Sequence, residues 1–199
     1  MMLIEQTTVP VASLPVAEFK EHMRLGTGFA DDGAQDALLE ALLRAAIAAV
    51  EGRTGKVLLA RSFTWSLTAW RDGIKQAIPV APVGSVSAVK IIDREGFEAV
   101  VDASAYVLEK DTHRPHLAAA SGCLPQIPLG GRAEVAFEAG FDAAWSGVPE
   151  DLAQAVFLLA GHFHQHRSAS APNEASMPFG VQALLERWRT VRILGGGTA

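Results

Sequence analysis

DALLEALLRAAIAAVEGRTGKVLLARSFTWSL, residues 36–67, holds two different periodicities joined at a glycine. Laid out at about 100° per residue, its first half places Leu38, Leu39, Leu42, Leu43, Ala45, Ala46, Ile47, Ala49 and Val50 over about half a helical circumference. Glu40, Arg44 and Glu51 form the narrow polar stripe that remains. Asp32 followed by Gln35 resembles a capping box at the start, and Gly52 and Gly55 supply stop signals at the end. From Val57 the period becomes two: Phe63, Trp65, Leu67 and Ala69 alternate with Ser62, Thr64, Ser66 and Thr68, the pattern of a half-buried strand. A long helix therefore feeds directly into a sheet. So wide an apolar face has two readings, burial within the chain's own domain or an additional contact with a neighbouring subunit through Leu39, Leu43, Ile47 and Val50.

Outward from this stretch the chain divides into three parts. Residues 1–56 are helical, with a short amphipathic helix over 15–25 that repeats Val16, Phe19 and Met23 on one face behind Pro15. Residues 57–147 form a small antiparallel β unit, with further strands expected at 76–80, 86–92, 97–101, 106–109 and 133–137, separated by Pro, Gly and Asp clusters. Residues 148–199 return to helix and pack with 1–56 as one core. Pro149, Glu150 and Asp151 suit a helix N-terminus, and the helix runs to about His166, apolar nearly all round. RSASAPNEASMP, 167–178, reads as a flexible connection. A last helix in FGVQALLERWRTVRIL lines up Val181, Leu184, Leu185 and Trp188, with Arg187, Arg189 and Arg192 following the last acid, Glu186. The fold class expected is α+β: about four helices around one core, an inserted antiparallel β unit, and a flexible C-terminal helix and tail.

Composition narrows the function. A formal charge of −5 argues against a surface that clings to phosphate, which needs many clustered Lys and Arg. One cysteine, Cys123, rules out an internal disulfide and suits assembly in a reducing cytoplasm. The opening MMLIEQTTVPVASLP carries an acid and lacks the basic start of a secretory signal, and no apolar run approaches the roughly 20 residues of a membrane span.

The only arrangement that invites catalysis is His162-Phe163-His164-Gln165-His166, whose outer histidines, four apart, share a helix face. The pattern lacks the glutamate of HExxH and a third ligand, so these residues read as caps or surface groups at the negative end of a helix dipole. A metal-dependent hydrolase using His162 and His166 stands as an alternative; stoichiometric bound metal would favour it. No GxSxG, P-loop or GxGxxG signature is present. Cys123 has no neighbouring base, and Asp31-Asp32 is accounted for by helix capping. The expectation is a protein with no catalytic residues, no cofactor and no metal. A second alternative, a DNA-packaging factor binding through Arg187, Arg189 and Arg192, would show steeply salt-dependent DNA binding.

The order of the pieces carries a resemblance. LPVAEFKEHMRL, then DALLEALLRAAIAAVEGRTGKVLLARSFTWSL, then PEDLAQAVFLLAGHFHQHR, then MPFGVQALLERWRTVRIL together resemble the head-to-tail connector (adaptor) proteins of tailed phages, including those of gene transfer agents, phage-like particles made by bacteria. The closing PFGVQALLERWR is the most specific match. The resemblance implies a non-enzymatic ring subunit, commonly in twelve copies, at the head–tail junction of a virion or phage-like particle assembled in the host cytoplasm. It implies as partners other copies of the chain, the portal protein, the next tail or stopper component, and DNA passing through the channel without sequence-specific binding. It also implies a portal contact through the tail from Met177, with Phe179, Leu185 and Trp188 as apolar anchors and Arg187, Arg189 and Arg192 as charge partners. The simplest members of the family lack the β unit at 57–147, so its role stays open.

Overall fold

A computed structural model describes residues 1–24, 35–166 and 177–189. Along the chain the elements are β1 (Met2–Glu5), α1 (Val16–His22), α2 (Asp36–Thr54), β2 (Arg61–Leu67), β3 (Lys75–Ala77) and β4 (Val83–Ile92). They continue with β5 (Glu98–Val100), β6 (Tyr106–Glu109), β7 (His116–Ala119), β8 (Arg132–Ala139), α3 (Glu150–Gln165) and α4 (Phe179–Leu185). The α+β class read from the sequence is the class observed.

The helix α2 ends where its sequence says it should. Gly55 takes a left-handed φ of 69° and donates its N–H back to the Glu51 carbonyl, a cap that a side chain would strain. Gln35, at the other end, makes no side-chain capping bond, and Asp32 of the expected capping box lies outside the described residues. Leu39, Leu43, Ala46, Ile47 and Val50 are buried with Phe19 of α1, Leu152, Ala155, Val156 and Leu159 of α3, and Val181 and Leu185 of α4. This corrects the subunit-contact reading: Leu39, Leu43, Ile47 and Val50 have no surface left for a neighbour, because the broad face is spent on several elements of its own chain. Leu38, on the flank, is the α2 leucine left exposed.

Two sheets make up the rest. The larger has strand order β1-β2-β8-β4-β5 with every neighbouring pair antiparallel. β2 buries alternate residues, as its period predicts, and its Phe63 stacks on the directly opposed Phe137 of β8 with ring centroids 5.6 Å apart. The smaller sheet, β3-β7-β6, contributes Leu117 to the same apolar cluster as Trp65, Val135 and Phe137. The structure differs from the sequence reading in four particulars. β1 joins the β unit although it lies in the N-terminal part; β7 was not anticipated; Ala69 falls beyond the end of β2; and the last helix stops at Leu185, followed by a 3-10 turn at Glu186–Trp188. The stretch 190–194, expected to be helical, and the connection 167–176 lie outside the described residues.

The helical and β cores meet along a seam at residues 57–61. Val57 belongs to the β cluster, whereas Leu58 and Leu59 belong to the helical one. Glu51 of α2 fastens the seam: one carboxylate oxygen accepts the Leu58 N–H at 2.8 Å and the other meets Arg61 Nη2 at 2.7 Å. Arg61 Nε lies 3.6 Å from Glu5 of β1, so the three residues tie helix, sheet and N-terminal strand together. Across the seam Gly140 (φ 138°) lies so close to Ala60 that a Cβ would sit 2.4 Å from its Cα.

Candidate functional site

The C-terminal segment is where the sequence places its partner-binding residues. Pro178 sets the entry to α4, and the helix turns Val181 and Leu185 into the core. The 3-10 turn that follows rotates Trp188 inward as well, where its ring packs edge-on against Phe141 at 5.5 Å and tilts against His113 at 5.9 Å. Its indole Nε1 donates to Asp151 Oδ2 at 2.7 Å, a charge-assisted bond to the first turn of α3. Arg187 stacks its guanidinium 4.8 Å above the same indole and lies 3.3 Å from the same carboxylate oxygen. Arg189 pairs with Glu186 at 3.2 Å.

The six portal-contact candidates are therefore divided. Leu185 and Trp188 sit in the chain's own core, so neither side chain is a free anchor. Phe179, 85% exposed at the start of α4, has almost no cover, and Arg187 and Arg189 present their charged ends to solvent. Arg192 lies outside the described residues. Trp188 stays on the apolar side with Val181 and Leu185, as the periodicity assigned it, and the turn after Leu185 sets it as a clasp on α3.

The histidine cluster takes a structural form. The His162 and His166 rings lie tilted by 36° with centroids 4.3 Å apart, and His166 Nδ1 lies 3.0 Å from the His162 carbonyl oxygen at the end of α3. Among the described residues no group of three or more His, Cys, Asp or Glu is placed to hold a metal ion. A cavity of about 400 Å³ opens between α1, α3 and α4, lined by His22, Leu158, His162 and Val181 among others. Its described lining residues include no nucleophile–base pair. Cys123 is exposed in a turn.

Two of the ionisable groups displaced from their ordinary ranges lie at the seam. Burial pushes the Glu51 carboxyl up, against the opposing pull of Arg61 and the Leu58 N–H. Burial pushes the Lys56 ammonium down, opposed by the charge of Asp111; Lys56 Nζ has no hydrogen-bond partner among the described residues. Both lie close to where the two cores join, and Glu51 also lines a cleft of about 180 Å³ with Glu5, Arg44, Ile47 and Arg61.

Exposed Phe179, Arg187 and Arg189 make the clasped C-terminal segment a candidate contact surface. No family model matches the sequence, and no curated protein does. Solved structures do. A chain in the neck of an empty gene transfer agent particle, computed with C6 symmetry, is 56% identical with a TM-score of 0.90, over 98% of this chain and 99% of that one. A chain in the virion of the native gene transfer agent particle is 57% identical with a TM-score of 0.88, over 98% and 99%. A third, in the neck of the native particle with C12 symmetry, is 52% identical with a TM-score of 0.85, over the same shares. This chain belongs to the head-to-tail connector (adaptor) family of phage-like gene transfer agent particles.

Proposed function

We propose that the chain is a structural ring subunit of the neck, seated between the portal and the tail of a gene transfer agent or tailed-phage particle. The observation that carries this reading is identity of 52–57% along 98% of the chain with subunits of such necks and virions. The C12 symmetry of one neck supports a ring of twelve copies. The protein acts by shape and contact and performs no catalysis. DNA passes through the ring without sequence-specific binding, and a formal charge of −5 keeps the phosphate backbone from adhering. The portal contact is made by Phe179, Arg187 and Arg189 together with the segment from 190 onward, while Leu185 and Trp188 hold that segment in position from within. On the far side the ring meets the next tail or stopper component.

The test is the mass of the full chain by sedimentation or light scattering, alone and mixed with the portal ring of its particle. Association of about a dozen copies with the portal is expected. A monomer indifferent to the portal would refute the reading. Within that assay, Phe179→Ala combined with Arg189→Ala should weaken portal binding at least tenfold while leaving thermal stability nearly unchanged, since Phe179 is exposed and the Arg189–Glu186 pair lies at the surface. Removing all of 177–199 is a poorer test, because it also strips Val181, Leu185 and Trp188 from the core.

A further inference from the structure

The larger sheet has two open edges. On one side β1 pairs with β2 alone; on the other β5 pairs with β4 alone. Open edges are normally blunted by charge, proline or a covering loop, because unpaired N–H and C=O groups recruit other strands. Each edge here carries a single acid, Glu5 on β1 and Glu98 on β5, and is otherwise apolar. β1 reads Met2-Leu3-Ile4-Glu5, and every residue in it is exposed. β5, Glu98-Ala99-Val100, is exposed throughout, with Phe97 before it 73% exposed and Val100 70% exposed.

The hydrogen-bond phase says which groups face outward. The Gln6 N–H donates to Ser62 O, so Ile4 and Met2 turn their backbone groups to β2, and Leu3 and Glu5 turn theirs away. The Val101 N–H donates to Val89 O, so Ala99 faces β4, and Glu98 and Val100 face out. The strand register carries one row straight across the sheet: Met2, Ser66, Glu134, Lys90, Val100. Five strands alternating in direction leave β1 and β5 running the same way.

A cyclic ring needs two different patches that fit each other, one on each flank of the subunit, and rotation about the ring axis preserves strand direction along that axis. We propose that, in the ring, the β1 edge of one copy pairs in parallel with the β5 edge of the next. With the copies at one height, Met2 faces Val100 of the next copy. The outward Val100 N–H then donates to the Met1 carbonyl, and the Leu3 N–H donates to the Val100 carbonyl, the slanted pattern of a parallel ladder. The pairing covers apolar Met1, Leu3, Phe97 and Val100 at once. This inference rests on the ring reading above and gives the β unit a place in it, as the band that joins neighbouring copies.

Two variants test it in the full chain, assembled with its portal. The first is Met2→Cys with Val100→Cys in a Cys123→Ser background, oxidised after assembly. A ladder of covalent multimers is expected, since directly facing strand residues fall within disulfide reach. The second is Leu3→Pro. Its N–H points outward, so the substitution removes no bond to β2, and the isolated chain should keep its melting temperature. Ring assembly should then require a roughly 3- to 10-fold higher concentration for each hydrogen bond lost. A ring of normal mass with no ladder and no response to Leu3→Pro would overturn the strand pairing and leave the ring standing. Failure to form any ring would overturn both.

Discussion

Replacing Trp188 separates a residue that holds the chain together from one that grips a partner. The indole is 5% exposed and packs on Phe141, and its Nε1 reaches Asp151 across 37 residues of sequence. Truncating a buried tryptophan to alanine costs about 3–5 kcal/mol when the site cannot collapse. A domain is typically stable by about 5–15 kcal/mol, so Trp188→Ala should remove roughly a fifth or more of the total. Trp188→Phe keeps most of the packing and deletes only the donor. Asp151 retains Arg187 at 3.3 Å and a partly exposed carboxylate, so it is not orphaned, and the loss should fall near 1 kcal/mol. Urea unfolding followed by far-ultraviolet circular dichroism measures both, without depending on the fluorescence of the residue removed. If Trp188→Ala unfolds within 0.5 kcal/mol of the parent while portal binding falls, the residue is a partner anchor and the clasp described here is wrong.

Other perturbations address the seam. Because burial raises the Glu51 pKa above its unfolded value of 4.5, the folded state binds the proton more tightly, and the stability from this group is fully present below pH 4.5 and lost as pH rises through the raised value. The difference in urea midpoint between the parent and Glu51→Gln should therefore shift against the parent as pH rises from 4.5 to 7; a difference independent of pH would refute the assignment. Gly140→Ala should destabilise by roughly 2–4 kcal/mol, since it sets a Cβ against the Ala60 backbone at a φ of 138°. Calorimetry reads the result, and an unchanged melting temperature would mean that the seam can open locally to admit a methyl group.

Much of the architecture was legible where one segment carries its own signal. The shift from a helical to a two-residue period at Gly55, the alternation of Phe63, Trp65 and Leu67, and the acids and proline before α3 each state an element locally. β1 was not legible, because MLIE has no alternation and buries nothing; it is a strand only because β2 offers it an edge. β7 failed for a similar reason, being four residues whose pairing with β3 and β6 decides their state. The periodicity of α2 marked a broad apolar face and left its use open between the chain's own domain and a neighbouring subunit. Periodicity reports that a face is covered, never whether the cover comes from the same chain. Among the contact candidates, Phe179, Arg187 and Arg189 sit at the surface, whereas Leu185 and Trp188, on the apolar face with Val181, turn into the chain's own core.

A subunit held between a head and a tail is pulled and twisted from both directions. In this chain neighbouring residues at the seam are sunk in different cores, Val57 in one and Leu58 in the other, with Glu51 and Arg61 bracing the crossing. A torque on the β unit cannot be relieved by swinging a linker, because rotation would drag a fully packed side chain out of one core or the other. The two halves should consequently turn as a single rigid body when either is loaded.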